Sequence, residues 1–163
     1  LTQAITRTKT VTLPGVVDLY VANAQGAPGA GDLTIVDDTI QAWAVPLAVT
    51  ATVFAATNLS IAVTYTAYVP SASGVSSADV QGAVNTALGV LFAAIPIGGI
   101  VETTANEVPL ETIRGTIFAA IAGLVPAYKS QISVTVSLPA GDTSVFTNEV
   151  PVLGAVTPTV VFT

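Results

Sequence analysis

Apolar and polar positions along this chain switch between a period of two and a period of about 3.6, the spacings of strand and helix. VVDLYVA (16–22) reads as a strand, with Leu13-Pro14-Gly15 as the turn before it. NAQGAPGAGD (23–32) is a Gly/Pro loop, and Asp32 or a neighbour is placed to cap a helix behind it. In that helix Leu33, Val36, Ile40 and Trp43 recur at helical spacing, with Asp37 and Asp38 on the polar side. Pro46 ends the helix, and LAVTATVFA (47–55) begins a second strand. The pattern so far is β-α-β.

A second series follows Asn58. SIAVTYTAYV (60–69) alternates, placing Ile61, Val63, Tyr65, Ala67 and Val69 on one face of a half-buried strand. After the loop PSASGVSS (70–77), Ser76 and Asp79 have the spacing of a capping box. Val80, Val84, Leu88, Leu91 and Ile95 then line one helix face, and Pro96, Gly98 and Gly99 stop the helix. VETTANEV (101–108) reads as irregular chain or a short strand. Pro109 suits the first turn of a further helix with the core stripe Leu110, Ile113, Ile117, Ile121 and Leu124. Glu111 and Arg114, three apart, can pair. QISVTVSL (131–138) alternates with Ile132, Val134, Val136 and Leu138 on one face. The turn 139–142 follows. VFTNEVPVLGAVTPTVVFT (145–163) reads as a polar turn, a Val-Pro-Val-Leu-Gly hinge and a strand to the last residue, one or two closing strands in all.

The expected fold class is therefore α+β, built of two small modules, each a small mixed sheet with helices packed on one face. Residues 1–56 form the β-α-β module, and residues 57–163 a β-α-α-β-β module.

Composition then narrows function. Of 163 residues only 9% are charged, against about 25% in ordinary soluble domains. The net charge is −6 with four Lys and Arg, too few cations to follow a phosphate backbone, so nucleic acid is excluded as a partner. No Cys is present, hence no disulfide framework or thiolate metal site. The absence of Met suggests a piece of a longer protein. Residues 80–101 form an uncharged run long enough to span a bilayer. Its periodic apolar face, Gln81, Asn85 and Thr86 near its start, Pro96 and the glycines near its end, and flanks without Lys or Arg all argue against insertion.

Candidate chemistry is sparse. With no His, the Ser-His-Asp and Cys-His systems and His-based zinc sites are ruled out. The carboxylates Asp18, Asp32, Asp37, Asp38, Asp79, Glu102, Glu107, Glu111, Asp142 and Glu149 are scattered and suit capping and solubility. A paired-carboxylate glycosidase would instead need two of them facing one cleft. Asp37-Asp38 lacks the oxygen spacing of a calcium loop. GAPGAG (26–31) lies between strand and helix like a phosphate loop but matches neither glycine signature, and reads as a plain loop. Asn58-Leu59-Ser60 matches a glycosylation sequon. Trp43 is expected to pack in the core, with a subunit contact as the alternative. No catalytic, metal or cofactor residue is assigned, and no enzyme activity is expected.

A weakly charged surface covered with Thr, Ser, Ala and Val suits a subunit of an assembly. The order of motifs resembles the C-terminal half of the baseplate J-like family, wedge subunits of contractile phage tails and related injection machines. The similar segments are GVVDLYVA (15–22), the strand VTATV (49–53), IAVTYTAYV (61–69), the helix at 80–95, PIGG (96–99) and the helix at 109–122. The ending NEVPVLGAVTPTV (148–160) is most similar to the family's own. The resemblance implies a structural protein of the virion baseplate, assembled in the host cytoplasm. Its partners would be other wedge subunits and copies of itself, with no cofactor, small-molecule substrate or membrane insertion. It also implies that the terminal strand completes the last sheet, Pro151 and Gly154 setting the turn into it. Trp43, Phe146, Val152 and Leu153 are the candidate partner-contact residues. An exported pilin- or adhesin-like surface or fibre domain is the alternative, since Thr/Val-rich strands with few charges suit both.

Overall fold

The computed structural model describes residues 7–13, 16–44, 50–101 and 106–163. In chain order these form β1 (Arg7–Leu13), β2 (Val16–Ala22), α1 (Ala30–Ala44), β3 (Thr50–Ala55), β4 (Thr57–Val69), α2 (Ser77–Ala94), β5 (Ile100–Val101), β6 (Asn106–Val108), α3 (Leu110–Leu124), β7 (Ser133–Leu138), β8 (Thr143–Ser144) and β9 (Glu149–Phe162). Short 3-10 helices occupy Ser71–Ser73 and Pro126–Gln131. The strands make three sheets, ordered β1-β2-β3, β7-β4-β9 and β5-β6-β8. The α+β class holds.

The first sheet is mixed. β2 runs parallel to β3, Val16 facing Thr50, a pairing that needs a crossover; α1 supplies it and packs on β3. Tyr20 and Phe54 face each other across this pair and stack at 5.5 Å. β1, antiparallel to β2, was not expected. Its sequence RTKTVTL lacks an apolar run, but β-branched Thr suits the pleat and an edge strand tolerates polar side chains. α1 begins at Ala30, so Asp32 lies within its first turn rather than before it. There it is almost fully buried, where a carboxylate complements the amino end of the helix. Pro14, Gly15 and Pro46 lie outside the described residues, as does the start of the strand expected from residue 47.

In the second sheet β4 is central, and all five apolar residues on its expected face, Ile61, Val63, Tyr65, Ala67 and Val69, are buried. β7 pairs antiparallel, Thr66 with Thr135 and Tyr68 with Ser133, and the register slips between Thr64 and Tyr65. On the other side the Thr57 amide donates to Asn148 O at 2.9 Å and the Thr163 amide to Val69 O at 3.0 Å. Rising numbers thus meet rising numbers, so β4 and β9 run in the same direction. The expected hinge is corrected here: β9 is one strand of 14 residues, with Pro151 and Gly154 inside it. Gly154 answers a packing demand. A Cβ there would lie 2.7 Å from Ser60 Oγ and 3.1 Å from the Ile61 carbonyl.

α2 buries Val80, Val84, Leu88 and Phe92; Leu91, expected in the stripe, is only half-buried because the period carries the face on to Phe92. Its capping box forms both ways. Ser76 N–H and Oγ donate to Asp79 Oδ2 at 3.1 and 2.6 Å, and Asp79 N–H donates to Ser76 Oγ at 3.2 Å. After Ala94 the chain turns through Gly98 and Gly99, both at positive φ. α3 starts one residue later than Pro109, which caps it in an extended conformation. The Leu110 amide is satisfied from afar by Asp142 Oδ1 at 2.8 Å. Ile113, Ile117 and Ile121 are buried, whereas Leu110 is half-buried and Leu124 exposed, so the stripe fades at both ends.

Two compact units result, and neither is continuous in sequence. One gathers the described residues of 1–59, 93–107 and 144–152, the other 60–92, 108–143 and 153–163. A small apolar cluster of Ala22, Ala56, Ile97 and Val150, with Tyr20 and Val152 against it, belongs to the first unit.

Candidate assembly surfaces

In the first unit, a tied turn presents Phe146. The Phe146 amide donates to Glu149 Oε2 at 2.9 Å, and the Glu149 amide donates back to Phe146 O at 2.9 Å. Glu149 O accepts from the Gly98 amide at 2.8 Å, and the Val145 amide donates to Asn106 O at 2.9 Å. Gly99 lets these segments close up, because a Cβ there would sit 2.9 Å from Glu107 O and 3.0 Å from Val145 Cβ. Val145 and Val150 on either side are buried, yet Phe146 is 74% exposed. Four hydrogen bonds, three between backbone groups and one to the Glu149 carboxylate, thus hold a phenyl ring toward water.

Trp43 is 75% exposed, which corrects the expected core packing. It falls in the last turn of α1, about 80° around the helix from Leu33, at the margin of the stripe. Leu33, Val36 and Ile40 remain half-buried. Of the other candidate contact residues, Val152 is half-buried against the small apolar cluster, and Leu153 is half-buried within β9. The candidate set therefore contains two displayed aromatics and two side chains partly used by the fold.

The second unit has a cleft of about 350 Å³ where α3 packs on β7, invisible in the sequence because it needs both elements. Glu111, Arg114, Gly115 and Phe118, spaced as one helix face, line one wall, and Ile132, Ser133 and Val134 the other. The expected Glu111–Arg114 pair forms. Arg114 Nε donates to Glu111 Oε2 at 3.0 Å, and Nη2 donates to the same oxygen. The Arg114 and Glu111 side chains are 52% and 70% exposed, so the pair contributes tenths of a kcal/mol, roughly.

Several polar residues have structural roles. Asn23 closes a tight turn: its amide and carbonyl bond Gly26, and its Oδ1 accepts from the Gln25 amide at 2.9 Å. Asn58 Oδ1, within the sequon, accepts from the Ala27 amide at 2.7 Å. This pins the loop considered for phosphate, and a Cβ on Gly26 would strike that oxygen at 2.3 Å. Asp37 accepts from Gln41, while Asp79, Asp142 and Glu149 accept from backbone amides. Among the described residues, no group of three His, Cys, Asp or Glu is arranged for a metal, and the cleft holds one carboxylate, Glu111. No described helix is long and apolar enough to cross a membrane. Compared with family models and with curated proteins, the chain matches none.

Proposed function

We propose that this chain is a structural subunit of a contractile-tail baseplate, the C-terminal half of a baseplate J-like protein. It acts through contacts with copies of itself and with other wedge subunits, without cofactor, substrate or nucleic acid. The observation that carries the reading is the outward display of Trp43 and Phe146, at 75% and 74% exposure, on a chain with only 9% charged residues. A large aromatic held in water by an ordered turn gains stability when a partner covers it, and Trp and Phe are enriched at protein contacts. The motif order from GVVDLYVA to NEVPVLG supports the same assignment, as does the closing strand β9 within the β7-β4-β9 sheet.

The test is fractionation of lysed producing cells on a density gradient, with this chain located by mass spectrometry. Co-sedimentation with sheath and tube proteins is the expected result. Recovery in the membrane pellet, or as free protein in the medium, overturns the proposal, the second outcome favouring the exported surface domain.

A further inference from the structure

Phe146 and the cleft between α3 and β7 are unlike surfaces of one chain that match in size, polarity and charge. The floor of the cleft is apolar, made by Ile132 and Val134, which are almost fully buried, and by half-buried Phe118. Its rim is polar, with Glu111, Arg114 and Ser133 exposed. That is the cross-section of a protein contact, apolar at the centre and polar around it. Gly115 keeps the α3 wall open, since a Cβ there meets nothing within 4 Å. The cleft, about 350 Å³, has room for a phenyl ring, because an apolar cavity of about 150 Å³ takes benzene. Phe118 gives such a ring an aromatic neighbour.

Charge points to a second copy as the occupant. Every copy carries −6, so copies repel wherever their charged surfaces meet. Neither of these two surfaces adds to that repulsion. Arg114 cancels Glu111 within the cleft wall. Val145, Phe146, Thr147 and Asn148 carry no charge, and the Glu149 carboxylate beside them is folded back onto the Phe146 amide. The turn is already tied by hydrogen bonds, so docking the ring orders little that was free. We propose that Phe146 of one copy docks in the α3–β7 cleft of a second copy, its ring over Phe118, Ile132 and Val134. The contact deepens the reading of this chain as an assembly subunit and rests on it. One ring removes roughly 150–250 Å² from water, whereas stable pairs of proteins bury about 1,200 Å² or more. The dilute chain is therefore monomeric, and the contact holds where neighbours in an assembly keep ring and cleft close together.

The test is disulfide trapping with the purified chain, which has no Cys of its own. Thr147→Cys, beside the ring, is mixed with Ser133→Cys, at the rim of the cleft; both positions are exposed. The mixed disulfide, identified by mass spectrometry, is expected to form at least about tenfold faster than the one between Thr147→Cys and Thr86→Cys, an exposed α2 position outside the cleft. Adding Phe146→Ser to the first chain, or Gly115→Leu to the second, returns the rate to that background. Circular dichroism checks that each variant is folded, and the two changes lie on different chains, so either one decides should the other misfold. Added salt screens the repulsion between copies and leaves trapping as fast or faster. A rate no higher than the Thr86→Cys background, trapping that survives Phe146→Ser, or trapping that slows as salt rises each overturns the proposal. Absent trapping by a chain that still co-sediments with sheath and tube proteins removes this contact and leaves the baseplate reading standing.

Discussion

At the scale of single residues, two side chains have consequences that solution measurements can read. The Tyr65 hydroxyl is buried at the centre of β4 and has no hydrogen-bond partner among the described residues. Burial pushes its pKa above the usual 10.0. Tyr65→Phe removes an orphaned donor while keeping the ring, and is expected to leave stability unchanged or raise it by about 1 kcal/mol in urea unfolding. The sign of the pH effect follows. A raised pKa gives stability that is fully present below 10.0 and lost as pH climbs through the folded value, so the variant's advantage widens in alkali. Asp79 is the opposite case. The Ser76 hydroxyl, then the Ser76 amide, hold its carboxyl below the ordinary 3.8. Its contribution is complete above 3.8 and disappears as pH falls through the lower folded value. Urea midpoints of Asp79→Asn and the parent protein should therefore differ at neutral pH and converge in acid, whereas a constant gap would mean that the capping box does not hold the carboxylate charged.

At the scale of elements, β9 shows how an edge strand is kept from pairing indiscriminately. Fourteen residues containing one charge, Glu149, would invite edge-to-edge association; Thr163 bonds toward β4, so by the alternation of residues 154–160 Pro158 faces the open edge of the β7-β4-β9 sheet and, lacking an N–H, offers no donor there. Pro158→Thr restores that donor without adding charge. It is expected to leave the fold intact and to make the chain associate as its concentration rises, measured by sedimentation velocity; a variant that stays as monomeric as the parent would show that the outward ladder is closed by other means. What the sequence reveals at this scale is what neighbours along the chain decide. The 61–69 alternation, the Ser76–Asp79 box, the Ile113–Ile117–Ile121 stripe and the glycine stop after α2 are local patterns set by backbone geometry. The misjudged features depend on distant partners. β1 is a strand because β2 offers it an edge. Val-Pro-Val-Leu-Gly looks like a hinge until β4 lies beside it. Trp43 keeps helical spacing with Leu33 but lies at the margin of the packed face. The cleft needs α3 and β7 together, and of it only the Glu111–Arg114 spacing can be read in advance.

At the scale of the whole molecule, the question is what stabilises a surface with so few charges. Ten carboxylates against four cations leave a net charge of −6, modest for keeping copies apart, and neutrality is approached near pH 4.1. Thr, Ser and Ala cover much of the rest, so an exposed indole or phenyl ring stands out energetically. Burying either in a contact would remove roughly 150–250 Å² of side-chain surface from water, enough to anchor an interface. The same exposure means that neither ring contributes much to the free chain. Trp43→Ser and Phe146→Ser should each shift unfolding stability by no more than about 0.5 kcal/mol, the range of ordinary surface substitutions. In the producing cells, the double variant should be lost from the particle band of the density gradient while accumulating as folded, unassembled chain. If stability instead falls by more than about 1 kcal/mol, the rings are packing within the chain, and their claim to be assembly contacts fails. If stability is kept and the variant still enters the particle band, the contacts lie elsewhere on the chain, and the assembly role of the two rings is overturned.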